Sequence, residues 1–457
     1  MSKQNNLTDF LTDVANAIRA KKGSTDLINP QDFSSEIASL PSGLEIVDMT
    51  ETTATIEPNK VYVWGMVERL NITLGASTDE SDFFAFRFRC SKPTMTSLTV
   101  NGATWADDTE LDATGKPILD LGSYYQCEIK GGTSALYARL MHYIHFADSN
   151  VESVLLANGV GDGLGVTYKD AADVTSISTW FKDNADITAF AELVNFSGIT
   201  ALVNNAFSNC SSLAEITLPA SLTSIGTGAF KDCTTIAEIS LPAGVTDIFS
   251  GAFSNCSSLT KVLNFENTQL ISIENAVFRY CSSLAEIALP DTLKSIGTYA
   301  FQGAQFIEIT FPAGLTSILN AAFYGCSSLT RVLNLEDTKV TSIRAQTFYA
   351  CSALTEISLP AGLTSIENGV FYQCTSLAEI SLPAGVTSIG NSVFLQCSSL
   401  QYIRIEATIP PALASTNAIP STIGAIYVPD ASVSAYQAAT NWSTFASKIK
   451  GISEMPA

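Results

Sequence analysis

Between residues 174 and 405 the chain repeats one pattern of apolar and polar positions. Phenylalanines at 207, 230, 253, 278, 301, 323, 348, 371 and 394 mark it, at intervals of 23, 23, 25, 23, 22, 25, 23 and 23 residues. After Phe207 come Cys210, Leu213, Ile216, Leu218, Pro219, Leu222 and Ile225, and Phe230 restarts the series. LAEITLP alternates with period two, which predicts a short strand ended by Pro219. TSI predicts a second short extended stretch, and AFSNCSSL a turn that carries Phe and Cys inward. One such unit cannot bury its own apolar face, whereas stacked units share a continuous core in which each coil touches only its neighbours. Coils spaced like strands, about 4.8 Å apart, would stack nine or ten high into a rod on the order of 45–50 Å long.

The irregularities support the stacking. The unit that starts at Phe301 is one residue short and has Ala304 in the cysteine slot. Two longer units carry related inserts, VLNFENT (262–268) and VLNLEDT (332–338), three coils apart, which points to a larger duplication. Before the repeat the pattern differs. Phe10, Leu11, Val14 and Ile18 stand at helical spacing. Asn29 and Pro30 suit the start of a second helix, with Phe33, Ile37 and Leu40 on one face. Helices this short need a partner, which suggests oligomerisation or docking; a cap on the following domain is the simpler alternative. Residues 44–150 hold alternating stretches such as KVYVWG, FFAFRFRC and YYQCEIKGG broken by turn residues, an all-β pattern.

Charge and cysteine content refine this picture. A net charge of −20 with only 15% charged residues makes a poor partner for phosphates or anionic lipid, so no nucleic-acid or membrane partner is expected. No run of about 18 apolar residues occurs. The N-terminus, MSKQNNLTDFLTDVANAIRAKKG, has no apolar core of a signal peptide, so synthesis and folding in a cytoplasm are expected. Cys210, Cys233, Cys256, Cys281, Cys326, Cys351, Cys374 and Cys397 recur with the repeat and are expected as buried free thiols. Cys90 and Cys127 can face each other across a sandwich, with two buried thiols preferred to a disulfide.

Candidate chemistry is sparse. His142 and His145 share a face on a helix but point oppositely on a strand, with no nearby ligand cluster. GVGDGLGV (159–166) lacks the strand–turn–helix context of a dinucleotide site and reads as a loop. No cofactor, metal or catalytic group is expected, so the chain reads as non-enzymatic. Two exposed stripes remain. The residue preceding the inward Ile of each strand gives Glu215, Glu238, Lys261, Glu286, Glu308, Arg331, Glu356, Glu379 and Tyr402. This is either a solvated stripe that discourages edge pairing or a recognition stripe for a cationic or polyhydroxylated partner, with Lys261 and Arg331 relieving the repulsion of stacked acids. The residue after the anchor Phe is Tyr324, Tyr349 and Tyr372 in successive coils, either packed over the turn or forming an aromatic platform.

The pattern F-x-x-C-x-S-L-x-x-I-x-L-P-x-x-x-T-S-I resembles the BspA-like leucine-rich repeats. ATIPPAL (407–413) and IYVPDASVSAYQAATNWSTFASKIKGI (426–452) resemble the C-terminal cap of that family, and residues 155–200 an opening cap. Residues 1–43 resemble a segment at the start of bacteriophage structural proteins, notably tail and fibre proteins of phages of gut bacteria. The stretch 44–150, with TIEPNKVYVWG and NITLGA, resembles a β-sandwich module of such proteins. The resemblance implies a mainly β chain: a helical attachment module (1–43), a β-sandwich-like domain (44–150), a leucine-rich-repeat solenoid with opening cap (151–405) and a C-terminal cap (406–457). It implies a bacteriophage virion protein of tail, baseplate or head fibre. Its residues Phe10, Leu11, Val14, Ile18, Phe33 and Ile37 would dock to other virion proteins, and its solenoid would adhere to a host surface protein or polysaccharide. A homo-oligomer, a trimer first, is expected. The alternative is a BspA-like bacterial or prophage-encoded surface adhesin, and a third reading is a glycan-cleaving tail protein.

Overall fold

The computed structural model describes the strands between residues 45 and 143 and, apart from 162–164, every residue from 144 to 455. The helical module expected over 1–43, with Phe10, Leu11, Val14, Ile18, Phe33 and Ile37, lies outside the described residues. The chain divides into two compact units, Met1–Val174 and Thr175–Ala457. The division falls inside the stretch 155–200 that resembles an opening cap. α1 (Ser149–Ala157), which runs into it, and α2 (Tyr168–Asp173) belong to the first unit.

In the first unit, consecutive strands alternate between two sheets. β1 (Glu45–Met49), β3 (Lys60–Val67) and β5 (Phe83–Cys90) pair in parallel. β2 (Thr53–Ile56), β4 (Arg69–Leu74) and β6 (Ser97–Asn101) do the same in a separate three-stranded sheet. β8 (Tyr124–Lys130) then adds antiparallel to β5, and β9 (Tyr137–Tyr143) antiparallel to β8, with the two-residue β7 (Thr104–Trp105) parallel to β9. Alternation in RLNITL buries Leu70 and Ile72. Cys90 and Cys127 do not face each other across two sheets: β5 and β8 are neighbours in one sheet, with Cys127 in register with Phe86. Cys127 is a buried free thiol.

The second unit is the solenoid. Nearly every coil contributes one very short strand to each of two interrupted parallel ladders. Ser224–Ile225, Asp247–Ile248, Ser272–Ile273 and their equivalents line up along one, which breaks between 247 and 272. Glu238–Ser240, Lys261–Leu263, Glu308–Thr310, Arg331–Leu333 and their equivalents form the other. In both, the residue before the isoleucine or valine is outward and the apolar residue is buried, as the period-two pattern requires. Threonines ahead of the first ladder reach across coils, Thr223 Oγ1 donating to the Thr200 carbonyl at 3.0 Å and Thr364 Oγ1 to Thr341 at 3.0 Å.

The turn bearing the anchor phenylalanine forms a third inter-coil connection without a strand. Asn205, Phe207 and Asn209 donate their N–H groups to the carbonyls of Thr227, Ala229 and Lys231 one coil on, at 2.9, 2.7 and 2.8 Å. The N–H groups between them close local turns, Ala206 to Val203 and Ser208 to Asn205. Every N–H of this turn therefore has a backbone acceptor, which its depth in the protein demands. The geometry places the residues two before and two after each anchor Phe in the left-handed region, for example Asn205 and Asn209, Gly228 and Asp232, Ala276 and Tyr280, Gln346 and Ala350. Inside, Phe181 and the nine anchor rings stack continuously, with centroids 5.3 to 5.9 Å apart along the anchors and planes within 17°. Pairs of this kind add about 0.5–1.5 kcal/mol beyond their burial.

The cysteines complete the turn. Each thiol donates to the carbonyl of the Phe in the coil before it: Cys210 to Phe181, Cys233 to Phe207, Cys256 to Phe230 and so on to Cys397 and Phe371, at 2.9 to 3.3 Å. Ala304 fills the slot in the short coil. At the far end the cap continues the second ladder through Tyr402–Ile405, Ala425–Val428 and Ile449–Gly451. Trp442 and Tyr436 are buried there and donate to the carbonyls of Pro411 and Ala407.

Two outcomes are expected. Burial pushes the Cys256 and Cys397 thiols up to about 12, and the thiolate is the reactive form. Alkylation of the native protein followed by peptide mass spectrometry should leave the eight repeat cysteines unmodified, and all eight should react in guanidinium. Gln346 is exposed at φ +60°, where a side chain is strained and glycine is not. Gln346→Gly should therefore stabilise the solenoid by about 0.5–1 kcal/mol in thermal melting, against the usual direction for glycine.

Candidate recognition surface

The expected charged stripe lies along the second ladder. Glu215, Glu238, Lys261, Glu286, Arg331, Glu356 and Glu379 are exposed, and Glu308 and Tyr402 half-buried. Lys261 Nζ lies 2.7 Å from Glu286 Oε1, Arg331 is paired with Glu308, and the Tyr402 hydroxyl with Glu379. Hydrogen bonding and attraction from Glu286 raise the Lys261 pKa, with Glu238 and Glu266 adding to it.

This ladder is interrupted at four steps, three of which set glutamate against glutamate. Glu238 pairs in register with Lys261, Glu308 with Arg331, Arg331 with Glu356, and Glu379 with Tyr402. Where Glu meets Glu, at 215/238, 286/308 and 356/379, the strands are not joined. Like charges directly opposite on adjacent strands repel, and these steps are where the backbone pairing lapses. The first ladder has mostly serine at the equivalent outward position, with Ser272, Ser295 and Ser317 consecutive in register, and it too is interrupted, at 247/272 and 317/342, where the two longer coils intervene. The ladder at 286 is doubly interrupted, because Glu286–Leu289 forms no strand towards Lys261 either.

The second stripe runs along the turn edge. Tyr324, Tyr349 and Tyr372 stack face to face at 4.5 Å, with interplanar angles of 4° and 9°. All three are half-buried, so each ring packs on its neighbour and still shows an edge to solvent. Burial and the flanking phenols push the Tyr349 hydroxyl above its ordinary pKa. The same edge continues into residues that the sequence reading passed over. Arg279 and Gln302 precede Tyr324 at the same position of the two coils before it. The Arg279 guanidinium lies 4.6 Å from the Tyr280 ring centre and 5.4 Å from that of Tyr299, and its Nε donates to Gln302 Oε1 at 2.8 Å. Tyr280 and Tyr299 are 42% and 38% exposed and both are left-handed, at φ 58° and 57°. The Tyr280 ring lies over Gly303 (φ +77°), where a Cβ would come within 3.1 Å of it. Counting from each Phe to its neighbours at ±2 as well as +1 would have found these two tyrosines.

The remaining candidates have other settings. His142 is the penultimate residue of β9, its ring 4.4 Å from Tyr125 and 4.1 Å from Tyr168, and His145 follows the strand and is exposed. Among the described residues no cluster of three metal-binding side chains occurs, and no helix is long and apolar enough to cross a membrane. In GVGDGLGV, Gly159 and Gly161 form a turn after α1, and 162–164 lie outside the described residues.

Residues 200–330 and 294–412 match the BspA type leucine-rich repeat region, in six copies. Residues 200–412 are thus similar to the BspA-type leucine-rich repeat. None of the curated proteins matches it. Among solved structures, the chain is similar to a leucine-rich repeat protein from Bacteroides ovatus at 28% identity. That match takes in 50% of this chain and 64% of the other, under two thirds of its length, with a TM-score of 0.39. It is similar to a leucine-rich repeat protein of T. pallidum at 32% identity over 35% of this chain and 72% of that one, TM-score 0.32. It is also similar to a leucine rich cell surface protein from Faecalibacterium prausnitzii at 21% identity over 56% and 83%, TM-score 0.29.

In this solenoid the Glu–Glu steps should be adjustable without touching the core. Glu215 is exposed and stacks between Ala189 and Glu238. Glu215→Lys should raise the melting temperature by the equivalent of about 0.2–1 kcal/mol. The gain should shrink in high salt as exposed charges are screened; an equal gain at every salt concentration would point to another cause.

Proposed function

We propose that the solenoid is an adhesive surface and that its turn edge makes the contact. The observation that carries this is the Tyr324–Tyr349–Tyr372 stack, extended by the Arg279–Tyr280–Tyr299 cluster. Tyrosine presents a large amphipathic surface at little conformational cost, which suits protein and glycan contacts. Rings already stacked on a rigid coil lose little further freedom on binding. The role is one of binding, without catalysis or cofactor.

The setting we propose is a bacteriophage virion, on tail, baseplate or head. There the segment 1–43 would attach the protein to other virion components as a homo-oligomer, a trimer first. Residues 44–150 would act as a β-sandwich-like spacer, and the solenoid would face a host protein or polysaccharide. What supports this setting is the resemblance of residues 1–43 to phage structural proteins. The second reading is a bacterial or prophage-encoded surface adhesin, which the BspA-type repeats support equally well.

Replacing Tyr324, Tyr349 and Tyr372 together by Ser should reduce binding to host cells or to immobilised surface glycan at least about tenfold, on the scale of one binding hot spot. Undiminished binding would remove the tyrosine edge from the function. Peptides of the protein in purified phage particles would establish the virion setting, and their absence there, with presence on bacterial surfaces, the adhesin.

A further inference from the structure

Acid is absent from one edge of the solenoid. The anchor turns 276–280, 299–303, 321–325, 346–350, 369–373 and 392–396 contain no Asp or Glu, and their single charged residue is Arg279. In a chain of net charge −20, this stretch of the turn edge is a separate electrostatic environment from the glutamate stripe of the second ladder.

Arg279 is also set apart from the other arginines of the solenoid. Residues 175–457 contain four. Arg331, Arg344 and Arg404 are paired with Glu308, Glu367 and Glu406, whereas Arg279 pairs with no carboxylate among the described residues. Its guanidinium rests instead against the rings of Tyr280 and Tyr299, 4.6 and 5.4 Å from their centres. Its Nε donates to Gln302 Oε1 at 2.8 Å and its Nη2 to the Tyr280 hydroxyl at 3.3 Å. Gln302 is 8% exposed, so the group that orients the guanidinium is itself fixed in the coil. A guanidinium has five N–H donors, and these two contacts leave the rest unused. Arg279 is half-buried, held by aromatic rings and a neutral amide, and so keeps its charge for an incoming anion.

The positions that follow define what carries the anion. Gln302, Tyr324, Tyr349 and Tyr372 succeed Arg279 at the same place in consecutive coils. The N–H groups of all five are closed into local turns and are not available to a peptide backbone. Side chains on one face of an extended peptide recur about every 6.6 Å, out of step with tyrosine rings 4.5 Å apart. The edge offers phenol hydroxyls and ring edges in a row, which meet the hydroxyls and C–H surfaces of a sugar chain.

Resting on the reading of the turn edge as the adhesive surface, we propose that its ligand is an acidic glycan. A uronic-acid carboxylate seats on the unused donors of Arg279 beside Tyr280 and Tyr299, and the sugar chain continues along Tyr324, Tyr349 and Tyr372. A planar carboxylate suits the paired donors of a guanidinium.

The test is fluorescence anisotropy on the full chain with three end-labelled probes: an oligogalacturonate, the same oligomer as its methyl ester, and an acidic peptide of alternating Glu and Ser. The oligogalacturonate should bind at least about tenfold more tightly than its ester, on the scale of a charge-assisted hydrogen bond. Arg279→Gln should erase that preference, and Arg279→Lys, which keeps the charge and loses the fork, should restore only part of it. Lys294→Gln removes the same charge from an exposed residue beside the first ladder and should change nothing. The triple tyrosine variant should bind acid and ester alike more weakly. The proposal is overturned if the oligogalacturonate fails to bind or binds no better than its ester, or if the acidic peptide binds equally. It is also overturned if Arg279→Gln lowers the melting temperature with binding unaltered, which would make Arg279 a brace between coils. Any of these results together with loss of host-cell binding in the triple tyrosine variant would leave the adhesive edge standing and remove only its acidic ligand.

Discussion

The carbonyl oxygen of an anchor phenylalanine accepts two hydrogen bonds, as at Phe207: one from the N–H of Cys210, three residues on, and one from the thiol of Cys233 in the next coil. The Phe N–H meanwhile donates to the next coil. A single residue thus ties its own turn shut, joins the neighbouring coil through both backbone groups, and adds its ring to a stack through the centre of the solenoid. The strands, only two to four residues long, could not hold coils together unaided. The backbone needs a donor from the cysteine slot because a buried carbonyl with spare acceptor capacity favours a partner. A thiol is small and apolar enough to supply it inside a core. Satisfying the turn also forces left-handed backbone at two positions per coil, several of them occupied by Ala, Gln or Tyr. This strain is tolerated because the stack over-determines the geometry.

With the coils held at the turn, the strand faces are free to vary. Serine is the commonest outward residue of the first ladder, whereas the second carries mostly glutamates. Its pairing lapses at every step where glutamates meet, and also between Lys261 and Glu286 beside the first insert. The turn edge shows the opposite use of repetition: identical aromatic residues at identical positions reinforce one another, as in the tyrosine stack.

Much of this was legible from spacing. The phenylalanine intervals, the inward Ile and Leu, the cysteine slot and the outward position of Glu215 to Tyr402 follow from period-two alternation and a constant repeat. Stacking of Tyr324, Tyr349 and Tyr372 follows from equal offsets to successive anchors. Arg279, Tyr280 and Tyr299 were harder, because their offsets differ and they meet only when adjacent coils are superposed. In the first unit, alternation reported which stretches are strands but not how they pair, since burial of every second residue is the same in parallel and antiparallel sheets. Cys90 and Cys127 accordingly fall on neighbouring strands of one sheet.

The amino-acid pattern by itself determined the coil, its length, its inward residues and its likeness to the BspA-type repeats, because each coil repeats the same local problem and its neighbours solve it in the same way. The tertiary structure alone decided which coils keep their ladder and which tyrosines gather around Arg279. Those properties depend on the residue facing each position from the next coil, some 22 to 25 residues away, and on electrostatic and hydrogen-bond terms that local alternation does not carry.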